Sequence, residues 1–174
     1  MNAYQTAIHE EMLEFAKDPR VIFLGQQVNP ESFYGTLDGI ELSRRMEMPV
    51  AEELQMGMSI GMAMNGFLPI SIYQRMDFLP RAADQIINHL EVMRDMTDGK
   101  FDPKVIIRTT VGSHSPLNVG IQHNKDLTDG FVALLKNIDV IKVRTPFEVH
   151  EAYGFCRKYD QSFLIIEEQD LYGD

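Results

Sequence analysis

The chain has 174 residues, 44% hydrophobic and 24% charged, which fits one domain large enough to bury a full core. A formal charge of −10 without any Lys/Arg cluster would repel phosphate backbones and argues against a nucleic-acid role. Its longest apolar stretches, such as Phe67 to Tyr73, fall far short of the roughly 20 residues that span a bilayer. The start Met-Asn-Ala-Tyr-Gln-Thr has neither the basic end nor the apolar run of a signal peptide, so a cytoplasmic location is expected. Cys156 is the single cysteine, which rules out an internal disulfide and the usual thiolate zinc sites.

Along the chain, Ala7, Ile8, Met12, Phe15 and Ala16 recur at close to helical spacing over residues 3–16, and Asp18-Pro19 stops the pattern. Val21 to Leu24 is a short apolar run bounded by Pro19 and Gly25, the pattern of a buried parallel strand. After a loop with Asn29-Pro30 and Gly35, a helix is expected from the acidic turn Glu52-Glu53-Leu54-Gln55, then a strand over Leu68 to Tyr73. Leu79, Ala82, Ala83, Ile86, Leu90 and Met93 predict one long helix from Phe78 to Met96. A strand at Val105 to Arg108, a helix near Leu127 to Leu135, a strand at Val140 to Val143, a helix over 147–159 and a strand at Phe163 to Ile166 complete the chain. Alternating strands and helices imply an α/β domain, a parallel sheet with helices on both faces in three layers. Ligand sites in such domains lie beyond the carboxyl ends of the strands. The connection Thr109 to His123 follows a strand and is longer than the about 4 to 6 residues of a usual loop, which marks it as a functional candidate.

Gly57-Met58-Ser59-Ile60-Gly61 is formally G-x-S-x-G, but a nucleophile elbow needs a strand running directly into it. Here a helical turn precedes it, and the better reading is a helix face whose glycines permit close packing while methionines fill gaps. Glu52 and Glu53 suit the positive end of a helix, yet either could instead share a proton with a ligand if buried. His9 and His150 lie in polar helical stretches and are expected in solvent, and His89 is expected on a packed helix flank. His114 and His123 lie in the long loop, where an imidazole can donate or relay a proton near neutral pH. No H-E-x-x-H, G-x-G-x-x-G or G-x-x-x-x-G-K-[ST] occurs, so the domain has the character of half a site.

Several segments in order carry a family resemblance: Pro19 to Gly25, Pro49-Val50-Ala51-Glu52 with its Gly/Ala-rich continuation, Asp77-Phe78 followed by Ala83 to Asn88, Met96 to Gly99, Gly120 to His123, and Glu167 to Gly173. Together they resemble the pyrimidine-binding domain of thiamine-diphosphate enzymes, most like the β subunit of the dehydrogenase component of 2-oxo acid dehydrogenase complexes and related to transketolase. The resemblance implies a single domain over 1–174, with the family's C-terminal domain absent. It implies that Glu52 hydrogen-bonds the aminopyrimidine ring and promotes the tautomer that deprotonates the thiazolium carbon. Phe78 matches the aromatic residue that stacks on that ring, and His123 the histidine of the substrate channel, implicated in proton transfer or in passing the acyl group to a lipoyl arm. Glu53 matches no such role.

The chain lacks the glycine-aspartate-glycine motif by which partner domains hold Mg2+ and the diphosphate. The resemblance therefore implies an α-type partner subunit, in a homo- or hetero-oligomer, acting on a 2-oxo acid. Transketolase-like two-carbon transfer is the close variant, and a non-catalytic remnant that binds a related subunit is the alternative of a different class. Gln26-Gln27 where the family has an acidic pair, Arg75-Met76 at a wall of the pyrimidine site, and Asn124 after His123 depart from the family pattern.

Overall fold

Six strands, β1 (Val21–Gly25), β2 (Arg45–Glu47), β3 (Leu68–Tyr73), β4 (Ile106–Val111), β5 (Asp139–Val143) and β6 (Phe163–Glu168), form one sheet in the order β2-β1-β3-β4-β6-β5. Every pairing is parallel. The computed structural model describes residues 1–115 and 118–173. β4 is buried along its whole length and β3 and β6 nearly so, which is why they read as apolar runs rather than alternating ones.

Helices cover both faces, as the alternation predicts. On one face α1 (Ala3–Ala16) and α6 (Pro146–Lys158) pack over a core that includes Ile8, Met12, Phe15, Phe23, Ile70 and Tyr153. α6 is started by a capping box: Thr145 Oγ1 accepts from the Glu148 N–H at 3.2 Å, and the Glu148 carboxylate accepts from the Thr145 N–H at 3.1 Å. On the other face α2 (Glu52–Met64), a broken helical stretch over 76–96 and α5 (Thr128–Leu134) enclose Met56, Leu79, Ile86, Ile107, Phe131 and Leu164.

Two expectations are corrected here. The long helix from Phe78 to Met96 is four pieces: a 3-10 segment Met76–Ala82, α3 (Ala83–Gln85), a π turn Ile86–Leu90 and α4 (Met93–Met96). Pro80 has no N–H to give an α ladder, and the Glu91 N–H donates to the Ile86 carbonyl at 2.8 Å, five residues back, so the repeat slips from the α period while its apolar side chains stay buried. β2, absent from the sequence reading, is a three-residue polar edge strand that pairs with Phe23, Leu24 and Gly25. Elsewhere the boundaries move by a residue or so, apart from β4 and β6, which run on to Val111 and Glu168.

Between β1 and β3 the backbones come so close that a Cβ on Gly25 would sit 2.4 Å from the Ile72 carbonyl oxygen, so only glycine fits. Beneath the loops, Arg108 on β4 and Glu167 on β6 form an ion pair at 2.8 Å with neither side chain exposed. Tyr153 and Tyr172 add hydroxyl donors to the same carboxylate.

Candidate functional site

The candidate residues all follow the carboxyl ends of strands: Glu52 comes after the edge strand β2, and Phe78 and His123 after the adjacent strands β3 and β4. Ala51 precedes α2 without any side-chain cap, and the acidic Glu52 and Glu53 stand in the first turn, where the positive end of the helix favours them. The acidic pair divides. Glu53 is exposed, whereas Glu52 is buried at the foot of an open cleft of about 870 Å³ also lined by Val50, Gly57, Met58, Arg81 and Gln85. Glu52 Oε2 accepts from Arg81 Nε at 2.9 Å.

Arg81 rides on the same 3-10 segment as Phe78, one turn further on, so the two project from one edge of it. Phe78 meets His123 edge to face, ring centroids 5.5 Å apart at 65°. That contact is set by backbone stitching: the Lys125 N–H donates to Asp77 Oδ1 at 3.1 Å and the Leu127 N–H to Met76 Sδ at 3.2 Å. The His123 N–H closes a turn onto the Gly120 carbonyl at 2.9 Å. Thus Phe78 and His123 are brought together. Glu52 is tied to their segment through Arg81, but neither aromatic ring lines the cleft at Glu52.

His114 is drawn to Asp170, with Nδ1 2.9 Å from Oδ2. Burial raises the Asp170 carboxyl, but hydrogen bonds from the His114 and Ser115 N–H groups and the His114 ring outweigh it and leave it below its ordinary value. His150 is half-exposed and pairs with Glu11 at 2.7 Å, and His9 lies 3.3 Å from the Thr36 carbonyl, so neither is simply solvated. His89 is half-exposed on the flank of the helical stretch and faces Asp84 at 3.8 Å.

Ser59 is buried in mid-helix, where its hydroxyl donates to the Gln55 carbonyl at 2.8 Å and lies 3.0 Å from Ser71 Oγ. No strand feeds it, so it is not a nucleophile elbow. Gln55 continues this polar seam, its Nε2 donating to the Ile72 carbonyl at 2.9 Å, which fixes α2 on β3. The expected close packing of the glycine face is not found within the domain: a Cβ on Gly57 would be 3.7 Å from Gln85 Oε1, and one on Gly61 would meet nothing within 4 Å. The Gln27 N–H donates to Glu47 Oε1 at 2.6 Å, and Arg75 donates to the Gly112 carbonyl, tying the exit of β3 to that of β4.

Sequence reasoning missed Arg81. It is a single exposed arginine in a run read as an amphipathic helix, and only the 3-10 geometry turns it onto Glu52. Among the described residues no three His, Cys, Asp or Glu side chains are grouped to hold a metal ion, and no helix is long and apolar enough to cross a membrane.

A parallel sheet clad on both faces, with a cleft and three candidate side chains beyond its strand ends, defines a doubly wound α/β domain. The family description "Transketolase, pyrimidine binding domain" matches residues 1–173, and the chain belongs to that family. It is 28% identical to the pyruvate dehydrogenase E1 component subunit beta of Ascaris suum over 180 residues, covering 99% of this chain and 47% of that one. To the acetoin:2,6-dichlorophenolindophenol oxidoreductase subunit beta of Cupriavidus necator it is 27% identical, covering 98% and 53%. The 3-methyl-2-oxobutanoate dehydrogenase subunit beta of Mycobacterium tuberculosis is also 27% identical, covering 86% and 43%. The chain spans about half the length of the curated relatives it matches. Among solved structures, a split-gene transketolase described as an inactive beta4 tetramer superposes with a TM-score of 0.70 at 19% identity, covering 96% of this chain and 50% of that one. Campylobacter jejuni transketolase superposes with a TM-score of 0.72 at 17% identity, covering 94% and 25%. These two support the fold alone.

Proposed function

We propose that this chain supplies the pyrimidine half of a thiamine-diphosphate site and acts with a separate α-type subunit, which holds the diphosphate and Mg2+, in the decarboxylation and oxidation of a 2-oxo acid. The observation that carries this reading is Glu52: a carboxylate 3% exposed, at the start of a helix, opening on a cleft beyond the sheet. The residues fit a planar aminopyrimidine. Glu52 offers an acceptor for a ring nitrogen in the cleft, and Phe78, outside the cleft lining, is carried by the same segment as Arg81. When bound, the cofactor supplies the nucleophilic carbon that such a cleavage needs. The chain's own part is to hold a proton at Glu52, orient the ring with Phe78 and move a proton through His123.

The test is Glu52→Gln in the chain reconstituted with its α-type partner, Mg2+ and thiamine diphosphate. A proton-sharing carboxylate predicts a fall in 2-oxo acid turnover of roughly 10²-fold or more. Unchanged turnover would remove the assignment. Gln26-Gln27, where an acidic pair is expected, favours a second reading, a non-catalytic subunit that binds and regulates its relative. That reading gains if the reconstituted pair assembles yet binds no thiamine diphosphate.

A further inference from the structure

We propose that Arg81 is a latch on Glu52: in the free chain its guanidinium holds one of the two oxygens of a carboxylate that lines the cleft, so that a pyrimidine ring binding there competes with it for that charge. The inference rests on the half-site reading and adds a control to it. Among the described residues Arg81 is the one hydrogen-bonding partner of the Glu52 carboxylate, with Nε 2.9 Å from Oε2. It reaches that oxygen from the cleft, which both residues line. A ring nitrogen entering there meets a carboxylate already engaged at one of its two oxygens.

The same pair is built to let go. The Arg81 side chain is 69% exposed while Glu52 is 3% exposed, so water can take over the guanidinium once it swings out. Its two terminal nitrogens bond nothing else among the described residues. A more buried, forked arginine would hold its carboxylate far more firmly. The segment that carries the latch also carries Phe78, one 3-10 turn away, although the Phe78 ring itself lies outside the lining of the cleft.

The test measures thiamine-diphosphate affinity by calorimetry in the pair reconstituted with the α-type subunit and Mg2+, for the wild type, Arg81→Gln, Arg81→Lys and Glu52→Gln. Removing an exposed competing ion pair is expected to tighten binding by up to about fivefold in Arg81→Gln, with Arg81→Lys between it and the wild type. The advantage of Arg81→Gln shrinks as added salt screens the guanidinium in the wild type, a response that a merely structural role for Arg81 would not produce. Equal or weaker binding by Arg81→Gln, with Glu52→Gln still weakened, overturns the latch and leaves the half-site standing. Wild-type affinity in Glu52→Gln, or no binding by any of the four proteins, overturns the half-site and the latch with it.

Discussion

Replacing Glu167 by glutamine keeps the shape of the side chain but removes the charge that faces Arg108 across two central strands. In the native domain Glu167 accepts from Arg108 Nε at 2.8 and 3.1 Å, from the Tyr153 hydroxyl at 2.5 Å and from the Tyr172 hydroxyl. Arg108 Nη1 donates in turn to Thr36 Oγ1 at 3.0 Å, and the guanidinium lies 4.7 Å from the centre of the Phe33 ring. Burial pulls the Arg108 guanidinium down, and the Glu167 charge and hydrogen bond together with Tyr172 and Tyr153 outweigh it; the intrinsic basicity of a guanidinium keeps arginine charged whatever replaces its partner. Glu167→Gln then leaves an unpaired buried cation and turns an amide N–H toward groups that are themselves donors. Breaking a buried pair in this way costs about 3–5 kcal/mol, a large part of the roughly 5–15 kcal/mol that stabilises a domain.

The double variant Arg108→Met/Glu167→Met carries no buried charge and is expected to cost clearly less than the two single changes added together. Urea unfolding followed by circular dichroism, with the slope checked for two-state behaviour, gives all three values. A loss under about 1 kcal/mol in Glu167→Gln, or strict additivity in the double variant, would refute the account of Arg108 as a charge held by its partner.

Two further outcomes concern pH. Burial raises the Asp126 carboxyl, but hydrogen bonds from Lys142 and Thr128 bring it down to about 2, against an ordinary 3.8. Because the folded value is the lower one, this stabilisation is present above about 3.8 and lost as pH falls through about 2. Lys142→Met should therefore move the acid-unfolding midpoint upward, measured by circular dichroism against the wild type. Burial, reinforced by nearby carboxylates, raises the hydroxyls of Tyr4, Tyr153 and Tyr172, and burial alone is the main cause at Tyr73. Folded values above the unfolded 10.0 give stability that is complete below that pH and lost as pH rises past it, so these four rings should show no tyrosinate absorbance until the domain unfolds.

The parts of the fold that a sequence reveals are those whose reason is local. Val21 to Leu24, Leu68 to Tyr73 and Phe163 to Ile166 are apolar without alternation because both their faces are covered, and such runs stand out in any window. α1 ends where Asp18-Pro19 ends it. β2 has no such mark. Arg45 is held by Ser32 Oγ at 2.8 Å and the Ile40 carbonyl at 2.5 Å, so this polar triplet is a strand because a preceding loop fixes it beside β1. The broken stretch 76–96 misleads for the opposite reason. Its apolar spacing suits a helix, and burial of Leu79, Ile86 and Leu90 is satisfied equally by 3-10 and π turns.

The same distinction separates what could be read of the candidate site from what could not. Glu52, Phe78 and His123 were singled out by the segments around them, and the contact of Phe78 with His123 is a finding of the fold. Arg81 and Glu52 are 29 residues apart, and Arg108 and Glu167 are 59 apart. Neither distance has a period, so no pattern in the chain announces either pair. Yet the two pairs differ in kind. Arg108 and Glu167 are both fully buried, and losing either strands the other. Arg81 is mostly in water and is rehydrated when it leaves, so the cost of parting falls on the buried Glu52, which an incoming donor would then have to satisfy. An arginine that meets a buried carboxylate from the solvent side can be replaced there by a ligand donor, and that asymmetry is the physical reason to look for its effect in binding as well as in folding.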